Sequence, residues 1–174
     1  MASVVLLTGE RGIGKSTVCR ETVALAQGEG YACGGILTLA HDDVRDVLDV
    51  SSGDMRRLTV EADAAGAVDQ GRFRFDPGVL RWGSRTLRRA TPCDLLVVDE
   101  IGPLELARRG GWVSAFDVLL GGDFALAVVV VRPELLALAQ RQLPDCAAVV
   151  IAVTRENRDQ LPGTLMGILE EETR

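Results

Sequence analysis

Hydrophobic residues in this chain cluster in short, unbroken runs rather than alternating with polar residues. Four runs span residues 4–7, 95–98, 124–131 and 147–153, and residues 35–39 form a fifth candidate. Strands that are buried on both faces of a parallel sheet show this pattern, because neither side of the strand contacts water. The pattern therefore predicts a central, mostly parallel sheet.

Segments with helical periodicity lie between these runs. The apolar face of the first predicted helix, which begins at Ser16, consists of Val18, Thr22, Leu25 and Ala26. The face of the second consists of Trp112, Ala115, Phe116, Leu119 and Leu120. A third helix is predicted to begin at Pro133. Strands that alternate with helices predict an α/β fold in which helices flank the sheet.

Residues 41–90 interrupt this alternation. Residues 47–50 and 55–60 flank a Ser-Ser-Gly-Asp turn as the strands of a β-hairpin do, and residues 72–75 alternate like an edge strand. Asp76 is the predicted N-cap of a helix that ends near Ala90. We interpret the segment as a small, β-rich insertion within one domain that spans residues 1–174.

The main chemical signal lies between the first run and the first helix. It satisfies the phosphate-loop pattern G-x-x-x-x-G-K-[ST] and consists of Gly9, Glu10, Arg11, Gly12, Ile13, Gly14, Lys15 and Ser16, followed by Thr17. The glycines allow positive φ angles, so backbone amides and a helix N-terminus face the phosphates. Lys15, the only lysine in the chain, is expected to contact the β- and γ-phosphates, and the Ser16 hydroxyl to bind Mg²⁺.

The second signal is a pair of carboxylates, Asp99 and Glu100, directly after the run at residues 95–98. Ligands of α/β sheets bind at the carboxyl ends of the strands. Asp99 is expected to hold Mg²⁺ together with Ser16, and Glu100 to accept a proton from an attacking water. With the loop, the pair predicts a three-layer P-loop NTPase fold.

Three ordered signatures resemble one family. Residues 99–106 are similar to the D-E-I-G-x-M-E-L signature of the THEP1-like nucleoside-triphosphatases, residues 154–159 resemble that family's T-x-x-N-R-D stretch, and the phosphate loop is the third. The resemblance implies slow, Mg²⁺-dependent hydrolysis of ATP, GTP and other nucleoside triphosphates to diphosphates. It places nucleotide contacts on the loop and on Asp99, Glu100, Ile101 and Gly102.

The segment after the last predicted strand allows two interpretations. Asn157 and Arg158 lie where P-loop proteins often contact the base, but Thr154 and Asn157 equally suit the cap of a turn before the final helix. The chain lacks the N-K-x-D element that reads guanine, which favours broad base tolerance. The family's arginine after its second strand has no aligned counterpart here, and Arg45 is a candidate substitute.

Composition narrows the class of protein. A net charge of −6 and a pI near 4.9 argue against nucleic-acid binding, which requires a basic face. Scattered cysteines (Cys19, Cys33, Cys93 and Cys146) and a single histidine argue against a zinc site and favour a reducing, cytoplasmic location. No run is long enough to span a membrane, and residues 4–7 are too few for a signal peptide.

The primary prediction is therefore a nucleoside-triphosphate hydrolase. Two alternatives remain open. A P-loop kinase would use the arginine-rich insertion to bind an acceptor nucleotide or nucleoside, and a slow binding switch would act on a protein partner that the sequence does not identify.

Overall fold

The computed structural model describes residues 2–61, 63–102, 105, 110–143 and 148–174. Its strands are β1 (Ser3–Thr8), β2 (Cys33–His41), β3 (Val44–Asp49), β4 (Met55–Arg57), β5 (Val68–Gln70), β6 (Phe73–Phe75), β7 (Cys93–Ile101), β8 (Phe124–Val131) and β9 (Ala148–Ala152). Its helices are α1 (Lys15–Gly28), α2 (Pro77–Arg88), α3 (Ser114–Gly121), α4 (Leu136–Gln142) and α5 (Leu161–Glu172), and a 3₁₀ turn, Pro133–Leu135, precedes α4.

Seven strands form the central sheet in the order β4-β3-β2-β7-β8-β1-β9. The five strands from β2 to β9 in this order are parallel, and β3 and β4 add an antiparallel edge. The predicted mostly parallel sheet is confirmed. β8 lies between β1 and β7, so the carboxyl ends of these three strands meet side by side at one edge of the sheet.

Both faces of the sheet are covered at its centre, which explains the unbroken apolar runs of β1, β7 and β8. The run at residues 147–153 was also predicted to be buried on both faces, and this prediction is wrong: β9 is an edge strand in which Val149 is 57% and Val150 39% exposed. Val4 and Leu6 of β1 pack in a core with α2 and α3 on one face. Val5 and Leu7 pack with α1 and α5 on the other. Successive strand residues point to opposite faces, so every position is apolar when both faces are buried. No helix in the described part of the chain is long and apolar enough to cross a membrane.

The predicted hairpin in the insertion is confirmed as β3 and β4, which pair antiparallel with Leu48 opposite Met55. A second hairpin was not predicted: β2 continues to His41 and pairs antiparallel with β3. The segment at residues 72–75 forms a separate two-stranded ribbon of β5 and β6 rather than joining the central sheet. The predicted N-cap of α2 is confirmed, because Asp76 Oδ1 accepts a hydrogen bond from Gly78 N at 2.6 Å.

Two residues that the helical pattern placed on buried faces are exposed. Leu25 is 45% exposed and Leu120 is 49% exposed, so these two predictions are wrong. The buried stripe of α1 is centred on Cys19 and Thr22, which leaves Leu25 about a quarter turn away. Leu120 lies in the last turn of α3, where its neighbour Leu119 fills the core.

Candidate active site

The predicted phosphate loop runs from the end of β1 to the first turn of α1. Gly9, Gly12 and Gly14 have φ angles of 146°, 76° and 115°. These values confirm the expected need for glycine, since other residues rarely adopt them. Gly14 is also the N-cap of α1, so the helix begins at the end of the loop with its N-terminus towards the sheet edge.

Lys15 lies folded over this loop. Its Nζ donates hydrogen bonds to the carbonyl oxygens of Gly9 and Glu10, both at 2.7 Å. Burial lowers the pKa of Lys15, and the nearby carboxylates of Glu100 and Asp99 oppose that shift. The ammonium is therefore held on the loop, within electrostatic range of both predicted acidic residues.

Asp99 is buried beside the start of α1. Its side chain accepts hydrogen bonds from the Ser16 hydroxyl and, at 3.1 Å, from the Thr38 amide. It is 1% exposed, and burial raises its pKa to about 7, with the Ser16 and Thr38 hydrogen bonds opposing the shift. A buried carboxylate beside a hydroxyl is a donor set that suits a hard divalent cation. The predicted metal pair, Ser16 and Asp99, is thus brought together.

Glu100 points away from Asp99, and β7 carries a β-bulge at this position. Val98 pairs with Val129 and Ile101 with Val131, so three steps along β7 match two along β8. Glu100 is the residue at the bulge and has a φ of 72°, which is rare for a residue with a side chain. The two adjacent carboxylates differ in exposure: that of Asp99 is buried, whereas the Glu100 side chain is 38% exposed.

Arg132 is a site residue that the sequence interpretation missed. Its Nε donates to Glu100 Oε1 at 2.6 Å, and its charge also acts on Lys15. The signal that could have found it is its position as the first polar residue after the run at residues 124–131, just as Asp99 follows the run at 95–98.

A further carboxylate, that of Glu105, holds the end of β7 in place. Glu105 accepts hydrogen bonds from the backbone amides of Gly102 at 2.8 Å and Trp112 at 2.9 Å. Burial raises the pKa of Glu105, and these hydrogen bonds oppose the shift. Ile101 is buried in the core, so a nucleotide would contact only its backbone.

Asn157 and Arg158 are the two predicted site residues after β9. Asn157 is hydrogen-bonded within its own loop, and Arg158 lies against the phosphate loop. The side chain of Asn157 accepts from Thr154 N at 2.8 Å and donates to Ala152 O at 2.8 Å. This geometry favours the turn-capping interpretation of Asn157. Arg158 donates through Nη1 to Ile13 O at 3.3 Å. The predicted contacts of these residues with a nucleotide stay predictions.

The insertion places one arginine, Arg45, within electrostatic range of the site. The Arg45 guanidinium lies 4.5 Å from the centre of the Phe73 ring, and that of Arg72 lies 4.9 Å from it. Burial lowers the pKa of Arg45, repulsion from Arg11 adds to the shift, and attraction to Glu100 opposes it. The structure thus places Arg45 within electrostatic range of the loop. Arg108 and Arg109, which follow the Asp99–Glu100 signature in the sequence and are further candidates for a site arginine, lie outside the described residues.

The fold and the site define a P-loop-like α/β protein, and comparisons with known proteins identify the family. A family model described as NTPase matches residues 4–166. THEP1 nucleoside-triphosphatases from Methanosarcina acetivorans and Methanothermobacter thermautotrophicus are each 32% identical, over 91% and 90% of both chains respectively. The solution structure of a human cancer-related nucleoside triphosphatase shares the fold, with a TM-score of 0.75 and 21% identity over 98% of both chains.

A second solved structure, the crystal structure of THEP1 from Aquifex aeolicus, gives a TM-score of 0.63 at 17% identity over 98% of this chain and 99% of that one. These likenesses confirm the predicted fold. The chain belongs to the THEP1 family of nucleoside-triphosphatases.

Proposed function

We propose that this protein hydrolyses nucleoside triphosphates to diphosphates and phosphate in a Mg²⁺-dependent reaction. The observation that carries the proposal is the divergence of the two carboxylates at the end of β7. Asp99 is buried beside Ser16, and Glu100 is accessible beside Lys15 and Arg132. One carboxylate is thus suited to a metal and the other to a water molecule.

The loop would bind the phosphates. Its positive-φ glycines and the N-terminus of α1 favour an anion, and Lys15 adds a full positive charge. Ser16 and Asp99 would hold the Mg²⁺ ion, which supplies positive charge to the β- and γ-phosphates when bound. The Lys15 ammonium would exchange the carbonyls of Gly9 and Glu10 for phosphate oxygens, which are stronger hydrogen-bond acceptors.

Glu100 would act as the general base. As the oxygen of water bonds to the γ-phosphorus, a water proton passes to the Glu100 carboxylate. The bond from that phosphorus to the bridging oxygen breaks, and the bridging oxygen keeps the electron pair as part of the diphosphate. Glu105 is poorly placed for this role, since both of its oxygens accept backbone hydrogen bonds.

Broad base tolerance is part of the proposal. The amide of Asn157, the side chain best suited to read a base edge, is engaged by Thr154 and Ala152. A site in which no side chain is dedicated to hydrogen bonds with the edge of the base discriminates weakly among nucleotides.

A kinase remains the second candidate, and one observation favours it. A cavity of about 350 Å³ lies within the insertion and is lined by Asp43, Thr59, Val60, Arg72, Phe73 and Arg74. Its arginines and aromatic ring suit an anionic or nucleoside acceptor. Such a protein would consume triphosphate without releasing phosphate when the acceptor is present.

One experiment tests both functions. The protein is incubated with ATP, GTP, CTP or UTP and Mg²⁺, with and without added nucleosides or monophosphates, and the products are separated by chromatography. Hydrolysis predicts phosphate release from several triphosphates without an acceptor, and loss of that release in EDTA. Phosphorylated acceptor without free phosphate would instead identify a kinase, and a hundredfold preference for one triphosphate would contradict the proposed tolerance.

A further inference from the structure

Arg132 occupies a position that the proposed function does not use. It directly follows β8, which lies between the strand that leads into the phosphate loop and the strand that ends in Glu100. Its side chain therefore starts at the same sheet edge, between the two halves of the site. It is ion-paired with Glu100 at 2.6 Å and also interacts electrostatically with Lys15.

The guanidinium of Arg132 is only partly engaged. Nε donates to Glu100, whereas its two Nη groups make no hydrogen bond within the described residues, and the side chain is 41% exposed. These groups carry four N–H donors in a planar fork. A partly exposed cation that keeps most of its donors available can bind a second anion.

A purely structural ion pair is a poor explanation of this arrangement. Exposed pairs contribute little stability. Arg132 also lies within electrostatic range of Lys15, and the attraction of Lys15 to Glu100 and Asp99 outweighs its repulsion from Arg132. A phosphate group near both cations would add a further attraction to each of them.

We propose that Arg132 bridges the general base and the substrate: its Nε orients Glu100 while its Nη groups contact the γ-phosphate of the bound triphosphate. This inference rests on the proposed function. During hydrolysis the bond from water to the γ-phosphorus forms, the bond to the bridging oxygen breaks with its electron pair, and the water proton goes to Glu100. Arg132 holds Glu100 and the γ-phosphate at a fixed position relative to each other. It also stabilises negative charge on the phosphoryl oxygens.

Arginine and lysine are expected to behave differently at position 132. A guanidinium presents several donors in a rigid fork and can hold two anions at once, whereas a lysine ammonium is a point charge on a flexible stem. Arg132→Lys retains the charge but loses the bridge. Arg132→Gln loses both. Arg141→Gln, an exposed position on α4, makes the same chemical change away from the site and serves as the matched control.

The test measures turnover and, by calorimetry, affinity for Mg²⁺ with a non-hydrolysable triphosphate analogue or with a diphosphate. Arg132→Gln should bind the triphosphate analogue at least about tenfold more weakly, the loss expected for a hydrogen bond to a charged group. It should bind the diphosphate within twofold of wild type, because a diphosphate has no γ-phosphate. Turnover should fall by about 10³-fold in Arg132→Gln and nearly as much in Arg132→Lys. Arg141→Gln should match wild type.

Three results would overturn the inference. Wild-type turnover in Arg132→Lys would show that charge alone suffices. Equal losses of triphosphate and diphosphate affinity in Arg132→Gln would indicate a structural role. Unchanged analogue affinity on adding Arg132→Gln to a Glu100→Gln background would show that Arg132 acts only through Glu100. If wild type itself fails to release phosphate, the proposed function is wrong, but the comparison of triphosphate with diphosphate affinity still tests the contact of Arg132.

Discussion

Lys15 is the side chain from which the largest electrostatic effect on nucleotide affinity is expected. Lys15→Ala should lower the affinity for Mg²⁺-NTP at least about 100-fold, because the ammonium makes charge-assisted hydrogen bonds to two phosphates. Lys15→Arg should not restore binding, since the planar guanidinium is too large to lie against the carbonyls of Gly9 and Glu10, where Nζ fits at 2.7 Å. Calorimetry with a non-hydrolysable analogue measures both. Wild-type affinity in Lys15→Ala would show that the loop does not bind the phosphates.

The adjacent carboxylates should differ when each is made neutral. Glu100→Gln keeps the size and the hydrogen bond to Arg132 but cannot accept a proton, so turnover should fall about 10²- to 10⁴-fold while affinity changes little. Asp99→Asn should weaken Mg²⁺-NTP binding as well as turnover, because Asp99 is the buried partner of Ser16. Turnover and affinity are measured for both variants at saturating Mg²⁺. Near-normal hydrolysis by Glu100→Gln would remove Glu100 from the role of base.

Single residues were predictable where one residue type is chemically required. The loop glycines, Lys15 and the acidic pair belong to this group, because the chemistry restricts each position to one or two residue types. Arg132 and Glu105 were not predictable in their roles. Arg132 pairs with a residue 32 positions away, and this contact depends on how β7 and β8 end side by side. Glu105 accepts from amides 3 and 7 positions away, so its role depends on the conformation of the chain after β7.

At the scale of helices and strands, the packing of α2 against Trp112, two residues before α3, depends on a glycine. A Cβ on Gly83 would lie 2.4 Å from Nε1 of the buried Trp112, whereas a Cβ on Gly167 in α5 would meet nothing within 4 Å. Trp112 is 5% exposed, so the ring has little room to move. The two positions form a matched pair for the same substitution within helices.

Gly83→Ala should lower the free energy of unfolding by about 2 kcal/mol, because overpacking a core costs about 1–3 kcal/mol and exceeds the gain in helix propensity. Gly167→Ala should raise it by up to about 1 kcal/mol through propensity alone. Denaturant unfolding followed by circular dichroism measures both. Equal stabilisation by the two substitutions would show that Trp112 does not pack tightly against Gly83.

Strand positions were predicted from the sequence more reliably than strand partners. Runs buried on both faces identified β1, β7 and β8, but β2 continues to the exposed residues Ala40 and His41, which gave no such signal. The turn at Asp42 and Asp43 lacks glycine, which made the β2–β3 hairpin hard to predict. The alternation of residues 72–75 indicated β6, but its partner β5 has only three residues and shows no period of its own.

At the scale of the whole molecule, the site joins segments that are far apart in the chain. It combines the loop at residues 9–16, the end of β7 at Asp99 and Glu100, and Arg132 after β8. Arg158 approaches the same loop from beyond β9. None of these groups is near the others in an unfolded chain, so the site exists only in the folded state, and ligand binding must be coupled to global stability.

A bound triphosphate analogue with Mg²⁺ should therefore raise the melting temperature of the whole protein. At a free ligand concentration of about 100 times Kd the folded state gains about 2.7 kcal/mol. For a chain of 174 residues this corresponds to a shift of about 5–10 °C. Thermal unfolding across a series of analogue concentrations measures the shift. Lys15→Ala should show almost none at the same concentrations, and omission of Mg²⁺ should reduce the shift in wild type. An unchanged melting temperature where calorimetry shows saturation would mean that the ligand does not bind selectively to the folded site, since selective binding must stabilise the fold.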